Sequence, residues 1–228
     1  MLAVRTGLSI EVKQATRTGD HVTGAVNDIC LDTVQSASHS VAELVTSDSA
    51  WTSVRMFGSS AMIAYTADRY EHERRTANGM GPLLSSDHLE LLMSLPIGWQ
   101  VPIQSLSHRD QRRLRRITPG AVRIAAGAVE RLAVSPVRVN LAIVPAATWQ
   151  SGLERAGRFA PFAARMMWLP RLSGDIEMLR REAARFGVGV LVGSAKEAEV
   201  VLPPPRFVRR RFTAAGWMFT EQVYERLR

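Results

Sequence analysis

"SHRDQRRLRRITPGAVRIAAGAVERLAV", residues 107–134, sets five arginines around Leu114 in its first ten positions and then alternates about Ala126-Gly127. The first half reads as a helix capped by Ser107 and stopped at Pro119-Gly120. The second reads as two strands joined by a tight turn. On the helix, Leu114 and Ile117 are three apart and face a core, which turns Arg109, Arg112, Arg113 and Arg116 mainly the other way. An arginine-rich amphipathic helix is either a solvated face or a surface for a polyanion, and the flanking residues have to decide between them.

Upstream, "HLELLMSLP" is a helix that Ser86 or Asp87 caps and Pro96 stops, and "VPIQSL" is a short helical turn with Pro102 at its first position. Helix, short helix, basic helix and basic hairpin within residues 83–136 resembles a winged helix-turn-helix. That resemblance implies a helix offered to the major groove of duplex DNA and a hairpin reaching phosphates or the minor groove beside it. The expected contacts are Arg109, Gln111, Arg112, Arg113, Arg115 and Arg116 on the helix, with Arg123 and Arg131 on the hairpin. Phosphates would supply affinity, and Gln111, Arg112 or Arg115 would supply sequence preference.

The whole chain leans the same way. It has 228 residues, 46% apolar and 22% charged, with a formal net charge of +8 carried almost entirely by arginine. Such a balance favours a polyanionic partner, DNA first and RNA second, wherever the guanidiniums cluster. A homodimer or partner protein subunits are left open. Cys30 stands alone, so an internal disulfide and a thiolate zinc site are excluded. No run has the length and apolarity of a membrane span, and the first residues lack the order of a signal peptide, so cytoplasm is the expected compartment.

Residues 1–82 read as a mainly helical segment with a short first strand at "LSIEVKQA". Apolar residues recur at helical spacing from Asp20 to Ser47, and "AWTSVRMFGSSAMIAYTADRYEHERR", residues 50–75, reads as a second helical stretch before the Gly- and Pro-rich "TANGMGPLLSSD". Residues 137–228 alternate differently: strand "VRVNLAIVPA", helix "TWQSGLERAGRFAPF", strand "ARMMWLP", helix "SGDIEMLRREAARFG", then strands "VGVLVGS" and "AEVVLPPP" about a turn at "AKE". A last helix, "AAGWMFTEQVYERL", has Trp217, Phe219 and Tyr224 as core contacts. Apolar strands between helices argue for a sheet covered on both faces. The expected class is therefore α+β / α/β: helical N-terminal segment, central winged helix, small C-terminal α/β sheet domain. Before the last helix, "RFVRRRF" interleaves Arg209, Arg210 and Arg211 with aromatic rings. It reads either as a clamp for phosphates and bases or as a surface linker.

Residues 137–205 are similar in their succession of elements to the second half of the PD-(D/E)XK, restriction-endonuclease-like, nuclease fold. In that family a strand bearing (D/E)-x-K precedes the helix, and its acids and lysine serve a Mg²⁺ centre. Here the equivalent position is Ile143-Val144-Pro145, which carries neither carboxylate nor amine, so the resemblance implies a scaffold that has lost its chemistry. The alternative metal-dependent nuclease would use Glu11 and Lys13 of "IEVKQ". No other constellation is convincing: "GVGVLVG" is not a phosphate loop, the five histidines are scattered, and Ser59, Ser60, Tyr65 and Tyr70 have no base beside them. No catalytic residue, metal or cofactor is assigned. The expected function is non-enzymatic duplex-DNA binding, alone or as the nucleic-acid-binding subunit of a larger nucleoprotein or defence complex.

Overall fold

The computed structural model describes residue 41, residues 45–194 and residues 197–227. The fold is mixed α+β, with nine strands and six α-helices among the described residues. Strands β1 (Ala50–Met56), β2 (Ser59–Ala67), β6 (Val137–Pro145), β7 (Ala164–Leu169), β8 (Gly189–Val192) and β9 (Glu199–Leu202) form one sheet in that order. The pairs β1–β2, β2–β6 and β8–β9 are antiparallel, while β6–β7 and β7–β8 are parallel. Helices α4 (Trp149–Gly157) and α5 (Ile176–Arg185) make the two parallel crossovers. Asp175 caps α5 by accepting from the Met178 amide.

The central strands are buried on both faces, which explains their unbroken apolarity. Ala142 and Val144 join one core with Met167, Phe159 and Val223, while Leu141 and Ile143 join the other with Met62, Met166 and Trp168. The same property hides β2 from a periodicity reading. Residues 50–67, expected to be helical, are a hairpin, turned at Phe57 and Gly58 with φ of 52° and 70°. Ala61 and Ile63 feed one core and Met62 and Ala64 the other, so no polar alternation marks the strand. Only the end of that stretch is helical, as α1 (Arg69–Ala77).

Residues 68–136 are an excursion between two neighbouring strands. Ala67 pairs with Val137, and the Asp68 amide donates to the Pro136 carbonyl at 2.9 Å. The expected boundary at 136/137 coincides with the end of the excursion, whereas that at 82/83 moves to 67/68: the sheet draws β1 and β2 from the first segment, and α1 opens the excursion. Within it come α2 (Ser86–Ser94), β3 (Gln100–Pro102), a 3-10 turn (Ile103–Ser105), α3 (His108–Leu114) and the hairpin β4 (Val122–Ala125) and β5 (Ala128–Arg131). The three strands pair in the order β3-β5-β4. Ser85, rather than Ser86 or Asp87, caps α2, and Ala126-Gly127 makes the hairpin turn with φ of 50° and 75°. The short helix expected at 101–106 is a strand end followed by the 3-10 turn, so one regular α-helix separates β3 from β4. Leu91, Leu95, Leu114 and Val129 make one small core; Leu89, Leu92, Met80 and Leu83 make another with Trp217. Glu11 and Lys13 lie outside the described residues, as does part of the "AKE" turn.

Helix α6 (Ala214–Glu225) holds the two parts together. Its Trp217 belongs to the core of the excursion, while Phe219, Val223 and Tyr224 belong to that of the sheet. Beneath it lies a buried ionic knot. Arg75, 0% exposed, donates to Glu221 at 2.7 and 2.8 Å and to Glu71 at 2.6 Å. Arg74 closes on Glu71 at 2.8 Å, and Glu221 also accepts from the Leu83 amide and the Trp217 indole, each at 2.8 Å. Such a group is favourable only when every lone pair and proton finds a partner, and removing one member strands a charge out of water. Arg75→Ala is expected to cost about 3–5 kcal/mol, read as a shift in the urea midpoint of the intact chain.

Candidate nucleic-acid interface

The arginines predicted to face nucleic acid divide into two groups. Arg113 and Arg131 are internal fasteners, a correction to their expected role. The Arg113 side chain, 12% exposed, reaches Asp87 and Glu90 at 2.5 Å and Asp110 at 3.2 Å. It thereby clasps the start of α3 to α2. These carboxylates raise the Arg113 guanidinium above its usual value. Arg131 is buried at the end of β5, where Nε donates to the Ala133 carbonyl and Nη1 to Leu92, at 2.9 and 3.0 Å. Its guanidinium lies 4.6 Å over the Trp217 ring, a desolvated stacking contribution of about 2 kcal/mol. Burial pushes its pKa down, against the pull of Glu71.

Two more of the expected contacts are occupied locally. The Gln111 side-chain amide donates to the Leu106 carbonyl at 3.0 Å, which closes the 3-10 turn onto α3. Arg123 is exposed but paired with Glu130 across the hairpin.

The rest are presented outward. Arg112, Arg115 and Arg116 are exposed and have no acidic or hydrogen-bonded partner among the described residues. They line one cleft together with Arg109, Ser85 and His88. Arg109 is held only at 3.7 and 3.9 Å from Asp87 and Glu90, distances at which an exposed pair contributes little. Five guanidiniums at this cleft and its rim meet three carboxylates, all three within reach of Arg113, so a surplus of two positive charges remains, presented to solvent by Arg112, Arg115 and Arg116. The capped N-terminal end of α2 adds its positive dipole end to the same place. Near the hairpin, Trp99 and Ile124 are exposed large side chains that sequence reasoning did not select. Their signal was an apolar residue beside a short strand with no counterpart to bury it.

In the strap 203–213, which has no regular structure, Arg210 and Arg211 are exposed. Arg209 is half-buried, 5.4 Å over the Phe212 ring. Ile143 and Val144 are fully buried on β6, one in each core, so the strand position that would carry (D/E)-x-K is sealed in hydrocarbon. Among the described residues no group of three or more His, Cys, Asp or Glu is placed so that it could hold a metal ion, and no helix is long and apolar enough to cross a membrane. No protein-family model, curated protein or solved structure matches the chain.

The clasp has a pH signature. Asp87 is held below the usual carboxylate value chiefly by its hydrogen bond from Arg113, and Asp110 chiefly by that from Ser107 and then by Arg113. A depressed carboxylate stabilises the fold fully above its unfolded pKa, near 4 for aspartate. That contribution is lost as pH falls through the lower folded value. Arg113→Ala is expected to lower the melting temperature at neutral pH, with the difference from wild type shrinking below about pH 4; Arg112→Ala is expected to leave it unchanged. Thermal denaturation followed by circular dichroism across pH checks both.

Proposed function

We propose that the chain is a non-enzymatic nucleic-acid-binding protein that engages duplex DNA through α3 and the neighbouring hairpin. The observation that carries this reading is the cleft of Arg109, Arg112, Arg115 and Arg116, outward-facing and net cationic because five guanidiniums, Arg113 included, meet three carboxylates. Arg112 on α3 and Arg115 and Arg116 in the turn just after it have no acidic partner among the described residues, and such guanidiniums suit phosphate oxygens bidentately. The single helix between β3 and β4 is shorter than a helix-turn-helix pair. Affinity on this reading therefore comes mainly from backbone phosphates, with Arg112 and Arg115 the candidates for base edges.

The six-stranded sheet acts as scaffold in this proposal. The succession β6, α4, β7, α5 and then the pair β8–β9 supports a likeness to the PD-(D/E)XK sheet. The apolar Ile143-Val144 on β6 argues against metal chemistry at that position.

The test is fluorescence anisotropy of labelled duplex DNA, single-stranded DNA and RNA across salt. The triple variant Arg112→Ala, Arg115→Ala, Arg116→Ala is expected to weaken duplex binding and to flatten the slope of log K against log salt by roughly 2–3. Unchanged affinity and slope would remove α3 from the interface. Stronger binding of RNA or single strands than of duplex would replace the groove reading by a strand-binding one.

A further inference from the structure

A second cationic cleft lies away from α3, between β6 and the strap. It has a volume of about 650 Å³ and is lined by Arg138, Arg206, Arg209, Asn140 and Phe207, with Thr46 at its side. Arg138 and Arg209 also line the adjoining depression beside Thr66, Asp68 and Ser135, so the two guanidinium side chains sit where the hollows meet. Neither has an ion-pair partner within 4 Å among the described residues, and the same holds for Arg206. The nearby carboxylates are engaged elsewhere. Asp68 caps α1 by accepting from the Glu71 amide at 3.0 Å. Asp48 is held below its usual value chiefly by the Thr46 hydroxyl and only lastly by Arg138.

This is an unfavourable arrangement for an empty protein. Burial, and then the like charge of Arg138, push the Arg209 guanidinium below its usual value. Arg209 is half-buried beside the exposed Arg138, and a half-buried guanidinium with no carboxylate within 4 Å among the described residues is stabilised by an incoming anion. The surroundings also match one kind of anion. Asn140 is held in place by donating to Ser49 and Thr66 at 2.9 and 3.1 Å, which gives the cleft a fixed polar floor. Phe212 braces Arg209 from one side, and the Phe207 ring supplies a flat apolar wall.

We propose that this cleft binds a phosphate group, held between Arg138 and Arg209 with Arg206 at the rim, and that Phe207 accepts the base or other flat group attached to it. A phosphate monoester carries nearly two negative charges at neutral pH and three acceptor oxygens, enough to satisfy two guanidinium forks at once. A backbone diester, with one charge and two free oxygens, can still accept from one guanidinium at each oxygen. The phosphate is either that of a small nucleotide or a backbone phosphate of a bound strand. The site rests on the β6–strap geometry and not on the α3 reading.

Isothermal titration calorimetry on the full chain tests it with inorganic phosphate, adenosine 5′-monophosphate and a short single-stranded oligonucleotide lacking terminal phosphates. At least one of these is expected to bind, and Arg138→Gln with Arg209→Gln to weaken that binding about ten- to hundredfold. The triple α3 variant is expected to keep it, which separates failure here from failure of the duplex interface. Binding of the monophosphate assigns the cleft to a small ligand; binding of the oligonucleotide alone assigns it to a strand. Single variants Arg138→Lys and Arg209→Lys, which keep charge but lose the planar fork, are expected to fall between wild type and the double variant. If no probe binds, or if the glutamine variants bind as wild type while melting at the wild-type temperature, the proposal is overturned. Loss of binding in glutamine variants that have also lost their melting transition, with the lysine variants folded and binding as wild type, overturns it equally.

Discussion

The ionic knot of Arg75, Glu71 and Glu221 is the constraint on which the molecule's arrangement depends. It draws three remote parts of the chain to one buried point: α1 through Arg75 and Glu71, α6 through Glu221, and the segment before α2 through the Leu83 amide. The Val134 carbonyl adds the exit of the excursion by accepting from Arg75 at 2.9 Å. Apolar contacts could have supplied comparable stability, but they are tolerant of sliding. A guanidinium fork facing a carboxylate at two points admits one orientation. The consequence is that the small αβ unit meets the sheet at one angle, with Trp217 stacked between Arg131 and the residues of α2.

Arginine performs opposed tasks in this chain, and counting it does not separate them. Arg75 and Arg131 are desolvated and fully occupied, and Arg113 is a clasp between helices. Arg112, Arg115 and Arg116 have the same chemistry with nothing to hold. The difference is set by neighbours distant in sequence: Asp87 and Glu90 on α2 choose Arg113 because its helical position faces them, and positions one residue away turn outward. A basic helix can therefore be both a structural joint and a cationic surface. The acids gathered on one arginine leave its neighbours on the other face without a contact partner, and the local surplus of guanidiniums over carboxylates keeps that face cationic.

That division explains what could be read from the sequence. The elements with local signals were legible: the Ser107 cap of α3, the turn at Ala126-Gly127, and the alternation of strand and helix after Val137. What failed depends on contacts across the chain. Strand β2 lacks polar alternation because both of its faces are covered, and the turn that joins it to β1 uses Phe57 in a conformation that local rules assign to glycine or asparagine. Arg131 belongs to a hairpin whose outer face is cationic, yet its side chain finds three carbonyls and a ring only when α2 and α6 are in place. Arg138 lies inside an apolar strand and drew no notice. Its significance comes from a strap some seventy residues later.

The placement of the excursion gives these pieces a common logic. Because Ala67 and Val137 are cross-strand partners, residues 68–136 leave and rejoin the sheet at one point without interrupting its hydrogen-bond ladder. The sheet can therefore carry a large appendage at little cost to its own order, but a junction of two chain crossings would leave that appendage free to swing. The strap and α6 remove this freedom. The chain returns across the end of β6, placing Arg209 beside Arg138, and then enters α6, whose Trp217 and Glu221 lock the excursion. The strap that builds the second cleft is thus continuous with the helix that positions α3.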